Sequence, residues 1–481
     1  MENNGTPALG IGRKTFVATA AILIAVLLLA GLMTRVLPQG AFDRTLLDGR
    51  ETPVAGSYQV VSGDRLPIWR WFTAPAEVLW SDDAASVVVI LLFVLLIGGT
   101  FQVLEQSGVL RAVMNGVMRR FSRRRYLLLA LASLVSMLMG STMGLFEETV
   151  TLVPMSIALA WSLGWDRFVG VGMSVLAVGC GFAAGTINPF TIGVTQRLAG
   201  LPAFSGILLR IGVFAIVYAV LFLFLYRYVR RIEADPSASL DRSLSAPDRA
   251  ALADTDSQDK APAGSAVAPF LIAFLLVFLY LGASIAVPAL SDTALPVMAV
   301  LLTAGGILSG YRAGLGGRAV WGAFWKGTIA LAPGAILILL AMGSKQILSA
   351  GGVMDTILQE AYLLIEGTGR YASVLIMYLF VLVLELFVGS STAKAFLVMP
   401  LLLPLADLLG VTRQTAVQAY AFGDGFVNMA YPTNAVLLIT LGIAGISFSS
   451  WFRWTWKLQL ALAGISCAVL YGCVAIGYGP F

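Results

Sequence analysis

The chain has 481 residues, of which 58% are hydrophobic and only 12% are charged, and it contains no histidine. Its mean hydropathy of +0.87 leaves too little polar surface for a water-soluble protein and indicates several membrane crossings. The lack of imidazole excludes most hydrolase and metalloenzyme schemes. The net charge of +5 comes largely from basic residues beside apolar runs, which is typical of membrane orientation and not of nucleic-acid binding.

The chain begins with two predicted spans joined by an external loop. A helix needs about 20 apolar residues to cross roughly 30 Å of hydrocarbon, and residues 16–37 and 84–105 meet this requirement. The polar segment 38–83 between them predicts the loop, with a short β-like run at 57–61. Residues 108–125 carry six arginines and no acid, so the positive-inside rule places this interfacial arm and the N-terminus in the cytoplasm.

The next segment predicts a re-entrant hairpin, which enters and leaves the membrane on one side. Its two uncharged runs, 126–139 and 149–164, are short for a span, and small polar residues and Glu147-Glu148 separate them. Arginines beyond both runs place both ends of the hairpin in the cytoplasm. The alternative is a single long kinked helix.

Residues 168–196 predict a discontinuous helix. The run is uncharged, but Gly-Thr-Ile-Asn-Pro at 185–189 interrupts it. Hydrocarbon tolerates such unpaired backbone only where protein or a watery cavity surrounds it, so the break predicts a binding site. Residues 198–226 then predict another span, and 233–266 predict a flexible cytoplasmic linker because they lack hydrophobic periodicity.

The second half repeats this order with the opposite predicted orientation. Its elements are three spans (268–291, 293–311 and 327–349), an acidic external arm (351–369), two short hairpin limbs (371–384 and 395–409), a second discontinuous helix (413–447) and a final span (458–481). Aromatic and basic residues between the last two predict an interfacial belt. The total is nine spans and two oppositely entered hairpins, with an external C-terminus.

An internal repeat supports this inversion. Adding 246 to Pro154, Leu163, Gly164, Arg167, Gly179 and Asn188 reaches Pro400, Leu409, Gly410, Arg413, Gly425 and Asn434, the same residue type each time. Matches of Pro, Arg and Asn in one order indicate an inverted repeat in an all-α polytopic membrane protein. The predicted parts are a first scaffold (1–125), a first transport part (126–231), the linker (232–267), a second scaffold (268–369) and a second transport part (370–481).

Hairpin tips and helix breaks offer free N–H and C=O groups, which suit anions and small cations respectively. Hydroxyl and amide oxygens there are hard ligands that could hold Na⁺. The alternative is that these side chains only join helices by hydrogen bonds, but their repetition inside a repeated break favours a site. The expected Na⁺ ligands form two related clusters, Ser141, Thr142 and Asn188, and Ser390, Ser391, Thr392 and Asn434.

Charges at membrane depth are costly and by default functional. Glu147 and Glu148 stand beside the first tip, Lys394 beside the second, and Asp424 in the second broken helix. The repeat register sets Glu148 against Lys394, so a structural ion pair is the alternative. Three acids against one base give a charge of about −2 if all are ionised, which favours a cationic substrate, although buried acids could also carry coupling protons. The expected substrate-binding residues are Glu147, Glu148, Thr186, Asn188, Pro189, Thr191, Lys394, Asp424, Asn428, Thr433 and Asn434.

Three motifs carry a family resemblance: Phe-Glu-Glu-Thr at 146–149, Gly-Thr-Ile-Asn-Pro-Phe-Thr at 185–191, and Gly-Asp-Gly…Asn…Tyr-Pro-Thr-Asn at 423–434. With the repeated hairpins, they resemble the ion transporter superfamily and, within it, the YfcC-type branch of the DcuC-like carriers. The resemblance implies a homodimer whose transport part moves across the membrane in an elevator-like cycle. The relatives are associated with basic amino acid exchange or C4-dicarboxylate uptake. The tips here read Gly-Ser-Thr and Gly-Ser-Ser-Thr instead of the Ser-Asn-Thr of the dicarboxylate symporters.

The sequence therefore predicts a secondary transporter of the inner membrane and not an enzyme. The favoured substrate is a basic amino acid such as arginine or ornithine, carried by exchange or symport. The alternative is a C4-dicarboxylate or other small carboxylate carrier coupled to Na⁺ or H⁺, and a channel is the rival from another class. The expected partners are the small-molecule substrate, membrane lipid and a second copy of the chain, with no nucleic acid and no cofactor beyond a coupling ion.

Overall fold

The computed structural model describes residues 13–47, 50–81, 84–110, 112–113, 124–202, 205–241, 264–286, 290 and 293–479. The first half contains the α-helices Arg13–Val36, Trp69–Glu77, Ala84–Gln106, Arg125–Leu138, Val153–Ser162, Arg167–Val171, Ala177–Ala183, Val194–Leu198 and Ile207–Ala234. The second half contains Gly264–Ala286, Ala294–Arg312, Gly317–Ala350, Met354–Glu366, Arg370–Glu385, Ser391–Leu408, Arg413–Gly425, Ala435–Ala444 and Phe448–Ile476. Short 3₁₀ or π segments are Val78–Trp80, Met139–Met143, Glu147–Leu152, Gly172–Leu176, Pro189–Gly193, Pro236–Ala238 and Phe426–Met429.

Among the described residues, seven helices are long and apolar enough to cross a membrane. They are Phe16–Val36, Val87–Gln106, Arg125–Met143, Ile207–Ala234, Gly317–Ala350, Ser391–Leu408 and Phe448–Ile476. The all-α polytopic class is thus confirmed, while the nine-span inverted topology stays a prediction. The two expected broken helices appear as series of short segments, interrupted at 184–188 in the first and at 430–434 in the second, where the chain leaves the helical path.

The predicted external loop is more ordered than its sequence suggested. Strand Gly40–Ala41 pairs with Gln59–Val60 inside the predicted β-like run, and Arg44–Leu47 pairs with Arg50–Pro53. The carboxylate of Asp355 anchors the loop to the second arm, because it accepts from the Phe42 N–H at 3.0 Å and from Arg44 at 2.8 Å. That arm forms the helix Met354–Glu366, whereas most of the first arm, at 111 and 114–123, lies outside the described residues.

Two other boundaries differ from the sequence prediction. The span expected at 198–226 begins at Ile207, because Gly200 and Gly206 adopt φ of +65° and +72° and turn the chain before it. The first residues of the expected flexible linker are held against the rest of the protein. The Ser239 hydroxyl donates to buried Asp166 at 2.7 Å, and Asp241 pairs with Arg167 at 2.7 Å. Residues 242–263 lie outside the described part of the chain.

The two broken helices cross at their glycines. A Cβ on Gly425 would collide with the backbone of Ala183, and a Cβ on Gly179 would collide with the side chain of Met429. Both members of the first contact are 246 residues from those of the second, so each repeat presents the same positions to the other. Absence of a Cβ lets the two helices approach closely.

Paired arginines form a second reciprocal contact between the repeats. Arg167 begins the first broken helix and donates to the Ala444 carbonyl, at the end of the second, at 2.7 Å. Arg413 begins the second broken helix and donates to the Ala199 carbonyl, at the end of the first, at 2.9 Å. Each guanidinium thus satisfies a C-terminal carbonyl of the other repeat's broken helix.

Candidate functional site

Ser141, at the predicted tip of the first hairpin, joins that segment to the first helix break. Its hydroxyl donates to the Ala184 carbonyl at 2.9 Å and lies 3.1 Å from the Thr186 hydroxyl. The Ser141 carbonyl also accepts the Thr186 N–H at 3.0 Å. Next to it, Gly144 adopts φ of +69°, and any side chain there would collide with Asn188. The polar segment around Ser141 therefore packs directly against the polar break.

Asn188 caps the segment after the break. Its Oδ1 accepts the N–H groups of Phe190 at 2.9 Å and Thr191 at 3.3 Å, which supports the helical turn beginning at Pro189. Asn188 and Thr191 are both fully buried, yet the Asn188 Nδ2 and the Thr191 Oγ1 have no hydrogen-bond partner. Buried polar groups are nearly always satisfied, so these two atoms are available to a ligand.

A buried charge cluster lies at the predicted tip of the second hairpin. Lys394 has no exposed surface, and its Nζ pairs with Asp424 at 2.9 Å and with Glu385. The same Nζ donates to the Val388 carbonyl at 3.1 Å. Two buried acids thus face one buried base, which leaves a charge of about −1 if all three are ionised.

A hydrogen-bond network extends this cluster into the second break. Asp424 accepts from the Ser391 hydroxyl at 2.7 Å, and its backbone carbonyl accepts from the Asn428 amide at 2.9 Å. Asn434 in turn donates to the Asn428 Oδ1 at 2.7 Å and caps the next helix through the Leu437 N–H at 3.0 Å. Asn434 therefore holds the same capping position as Asn188 in the first repeat.

One contact links the two halves of the site. The Thr392 hydroxyl, at the second tip, donates to the Phe190 carbonyl, directly after the first break, at 3.3 Å. The acidic cluster and the unpartnered amide and hydroxyl of the first break therefore lie on neighbouring elements.

The remaining expected site residues have plainer positions. Thr142 donates to the Leu138 carbonyl at 2.7 Å, Ser390 caps its helix through the Ala393 N–H, and Thr433 has a buried hydroxyl without a partner. Glu147 and Glu148 begin the 3₁₀ segment Glu147–Leu152, but their side chains are outside the described ones. Lys394 pairs with Glu385 and Asp424, and the alternative of a Glu148–Lys394 pair stays a prediction because the Glu148 side chain is outside the described ones.

Two buried charges are absent from the residues expected from the sequence. Glu385 directly follows an apolar run and is only 3% exposed. Arg210 is 1% exposed, within a predicted span, and its Nε donates to the Thr186 carbonyl at 3.0 Å. The rule that intramembrane charges are functional by default would have identified both residues.

The side chains expected to bind Na⁺ form hydrogen bonds mainly with other groups of the protein. The hydroxyls of Ser141, Ser391 and Thr392 each have a protein partner, as described above. Their oxygens keep acceptor lone pairs, so Na⁺ coordination stays a prediction. Within the described part of the chain, no group of three or more His, Cys, Asp or Glu side chains could hold a metal ion.

Comparisons with known proteins agree with the family predicted from the sequence. The DcuC family model, described as C4-dicarboxylate anaerobic carrier, matches residues 16–475. A protein of Escherichia coli (strain K12) named "Putative basic amino acid antiporter YfcC" is 28% identical over 96% of this chain and 96% of its own length. An "Uncharacterized protein" of Haemophilus influenzae is 27% identical over 82% of this chain and 76% of its own.

Two solved transporters are similar over most of their length. The YdaH transporter of Alcanivorax borkumensis has a TM-score of 0.45 and 17% identity, covering 96% of this chain and 99% of its own. MtrF of Neisseria gonorrhoeae, whose structure is presented as illuminating a class of antimetabolite efflux pumps, has a TM-score of 0.41 and 15% identity, covering 97% and 95%.

The family match extends over nearly the whole chain, and its helices include seven that could cross a membrane. The protein is accordingly a multi-pass membrane transporter and not an enzyme. This chain belongs to the DcuC family of membrane carriers.

Proposed function

We propose that the protein is a secondary active transporter of basic amino acids such as arginine or ornithine, acting by exchange or symport. The observation that carries the proposal is the buried cluster at the second tip, where Glu385 and Asp424 surround the single base Lys394. An excess of buried negative charge is costly unless a cation compensates it. A cationic substrate side chain provides that compensation, whereas a second carboxylate meets repulsion.

The proposed cycle is of the elevator type. The two hairpins and the two broken helices form the moving body, held together by the crossing at Gly425 and Ala183 and by the paired arginines. The scaffold is formed by long helices such as Ala84–Gln106 and Gly317–Ala350, and the working unit is a homodimer in the inner membrane. Na⁺ at the hydroxyl and amide oxygens, or a proton on one of the buried acids, couples the movement.

The alternative is a carrier of C4-dicarboxylates or other small carboxylates. The description of the matching family favours it, since that description names a C4-dicarboxylate carrier. Buried Lys394 and Arg210 would then receive the two carboxylates. The excess of acids around Lys394 weighs against this assignment.

Counterflow in liposomes tests the proposal. Purified protein in vesicles loaded with arginine should accelerate the entry of labelled arginine, and succinate inside should not. Asp424→Asn should lower arginine exchange at least about tenfold, since it removes a charge-assisted contact. Asp407→Asn, in an exposed ion pair with Arg413, is the matched control and should retain exchange. Counterflow of succinate but not of arginine would overturn the proposal, and ion currents far above carrier turnover would indicate a channel.

A further inference from the structure

Arg210 is a buried cation whose donors are mostly unused. It lies on the helix Ile207–Ala234 with 1% of its surface exposed, and its Nε donates to the Thr186 carbonyl at 3.0 Å. Neither Nη1 nor Nη2 has a hydrogen-bond partner, and no carboxylate of the described residues pairs with it. A buried guanidinium without an anion is strongly disfavoured, which indicates that a ligand supplies the anion.

The polar groups near Arg210 are hydrogen-bond donors, which suit an anionic ligand. Thr186, which it contacts, is two residues before Asn188 in the first break. The Asn188 Nδ2 and the Thr191 Oγ1 are the other buried atoms without partners there, and both can donate hydrogen bonds. The first break thus presents a positive charge and donors, while the second tip presents an excess of acids.

Lys394 is a poor candidate for the same task. Its ammonium group is already neutralised by Glu385 and Asp424 and also donates to the Val388 carbonyl. A substrate carboxylate at Lys394 would have to approach both acids. Arg210 offers two free nitrogens in the planar geometry that a carboxylate accepts in a bidentate manner.

We propose that Arg210 binds the carboxylate of the transported substrate at the first helix break, with Asn188 and Thr191 donating further hydrogen bonds. The inference rests on the proposed function: an amino acid places its α-carboxylate at Arg210 and its side-chain cation at Asp424 and Glu385. The Thr392–Phe190 contact places the second tip, which carries the acids, beside the segment that follows the first break, which Arg210 contacts through Thr186.

Ligands that differ from arginine only at the carboxylate test whether Arg210 binds that group. Affinities of purified protein are measured by titration calorimetry for arginine, for agmatine, which lacks the carboxylate, and for arginine methyl ester, in which it is neutral. The unmodified protein should bind arginine about ten to a hundred times more tightly than the other two. Arg210→Gln should remove most of that preference by weakening arginine binding alone. Arg230→Gln, at the exposed far end of the same helix, is the matched control and should change nothing.

The outcomes separate this inference from the proposed function. If the unmodified protein binds arginine, but Arg210→Gln lowers the affinities for arginine and agmatine equally or changes neither affinity, the site assignment fails and the proposed function survives. If only succinate binds, the proposed function fails. A loss of succinate affinity in Arg210→Gln would then support the assignment of Arg210 as a carboxylate site, and unchanged affinity would contradict it. If Arg210→Gln does not fold, the comparison in unmodified protein decides, because equal binding of all three ligands contradicts a carboxylate site.

Discussion

Gly425 of the second broken helix lies directly against the backbone of Ala183 in the first, with no room for a Cβ between them. The related glycine, Gly179, lies instead against the flexible side chain of Met429. The two contacts occupy equivalent positions in the repeat but differ in what a new methyl group would meet.

We therefore expect Gly425→Ala to be much more destabilising than Gly179→Ala. At Gly425 the backbone of Ala183 would have to move, and overpacking of this kind costs about 1 to 3 kcal/mol. At Gly179 the Met429 side chain can change rotamer, and alanine also gains helix propensity, so the net change should be under about 1 kcal/mol. Thermal unfolding in detergent measures both variants. Gly212→Ala, on an exposed helix face with open space around it, is the control, and equal losses at Gly425 and Gly179 would contradict the packing argument.

Lys394 should be more important for stability than either of its acid partners. Lys394→Met leaves Glu385 and Asp424 buried without a counter-charge, which costs about 3 to 5 kcal/mol. Combining it with Glu385→Gln and Asp424→Asn removes every charge, so most of the loss should be recovered while transport stays absent. The measurement is thermal unfolding of the single and triple variants. A triple variant no more stable than Lys394→Met would show that the loss comes from packing and not from charge.

The two asparagines allow capping to be separated from ligand binding. Serine keeps an oxygen for the N-cap but lacks the amide nitrogen, so Asn188→Ser should fold with a loss below about 1 kcal/mol, whereas Asn188→Ala loses the cap as well. If the Asn188 Nδ2 contacts substrate, both variants should lose transport strongly. Asn434→Ser should be less stable than Asn188→Ser, because it also removes the hydrogen bond that the Asn434 Nδ2 donates to Asn428. Full transport by Asn188→Ser would leave Asn188 with a capping role only.

The sequence indicates where the helix breaks lie, but not which residues pair with the buried charges. Breaks such as 185–189 were predictable because hydrocarbon penalises unpaired backbone wherever it occurs. The pairing of Lys394 with Glu385 and Asp424 was not predictable, because it depends on how the helices Arg370–Glu385 and Arg413–Gly425 pack against Lys394. Glu385 and Arg210 could be identified as candidates by the rule that charges within the membrane are functional by default, but a single charge in an apolar run does not indicate which helix it faces.

The paired arginines give a last prediction, which compares the two repeats directly. Arg167 is 13% exposed and its partner Asp241 is fully buried, whereas Arg413 and Asp407 are 42% and 45% exposed. Removing the acid from the buried pair leaves a largely desolvated guanidinium, so Asp241→Ala should cost about 3 kcal/mol. Asp407→Ala should cost under about 1 kcal/mol, because water and salt screen the exposed pair.

Thermal unfolding of the two alanine variants at low and high salt checks this difference. High salt should reduce the small loss in Asp407→Ala, since it already weakens that pair in the unmodified protein, and should leave the loss in Asp241→Ala nearly unchanged. Arg167 also donates to the Ala444 carbonyl, so Arg167→Gln should disturb the contact between the two broken helices and lower transport as well as stability. Similar losses in the two alanine variants would mean that the start of the linker, at Ser239 and Asp241, does not hold Arg167 in place as the structure indicates.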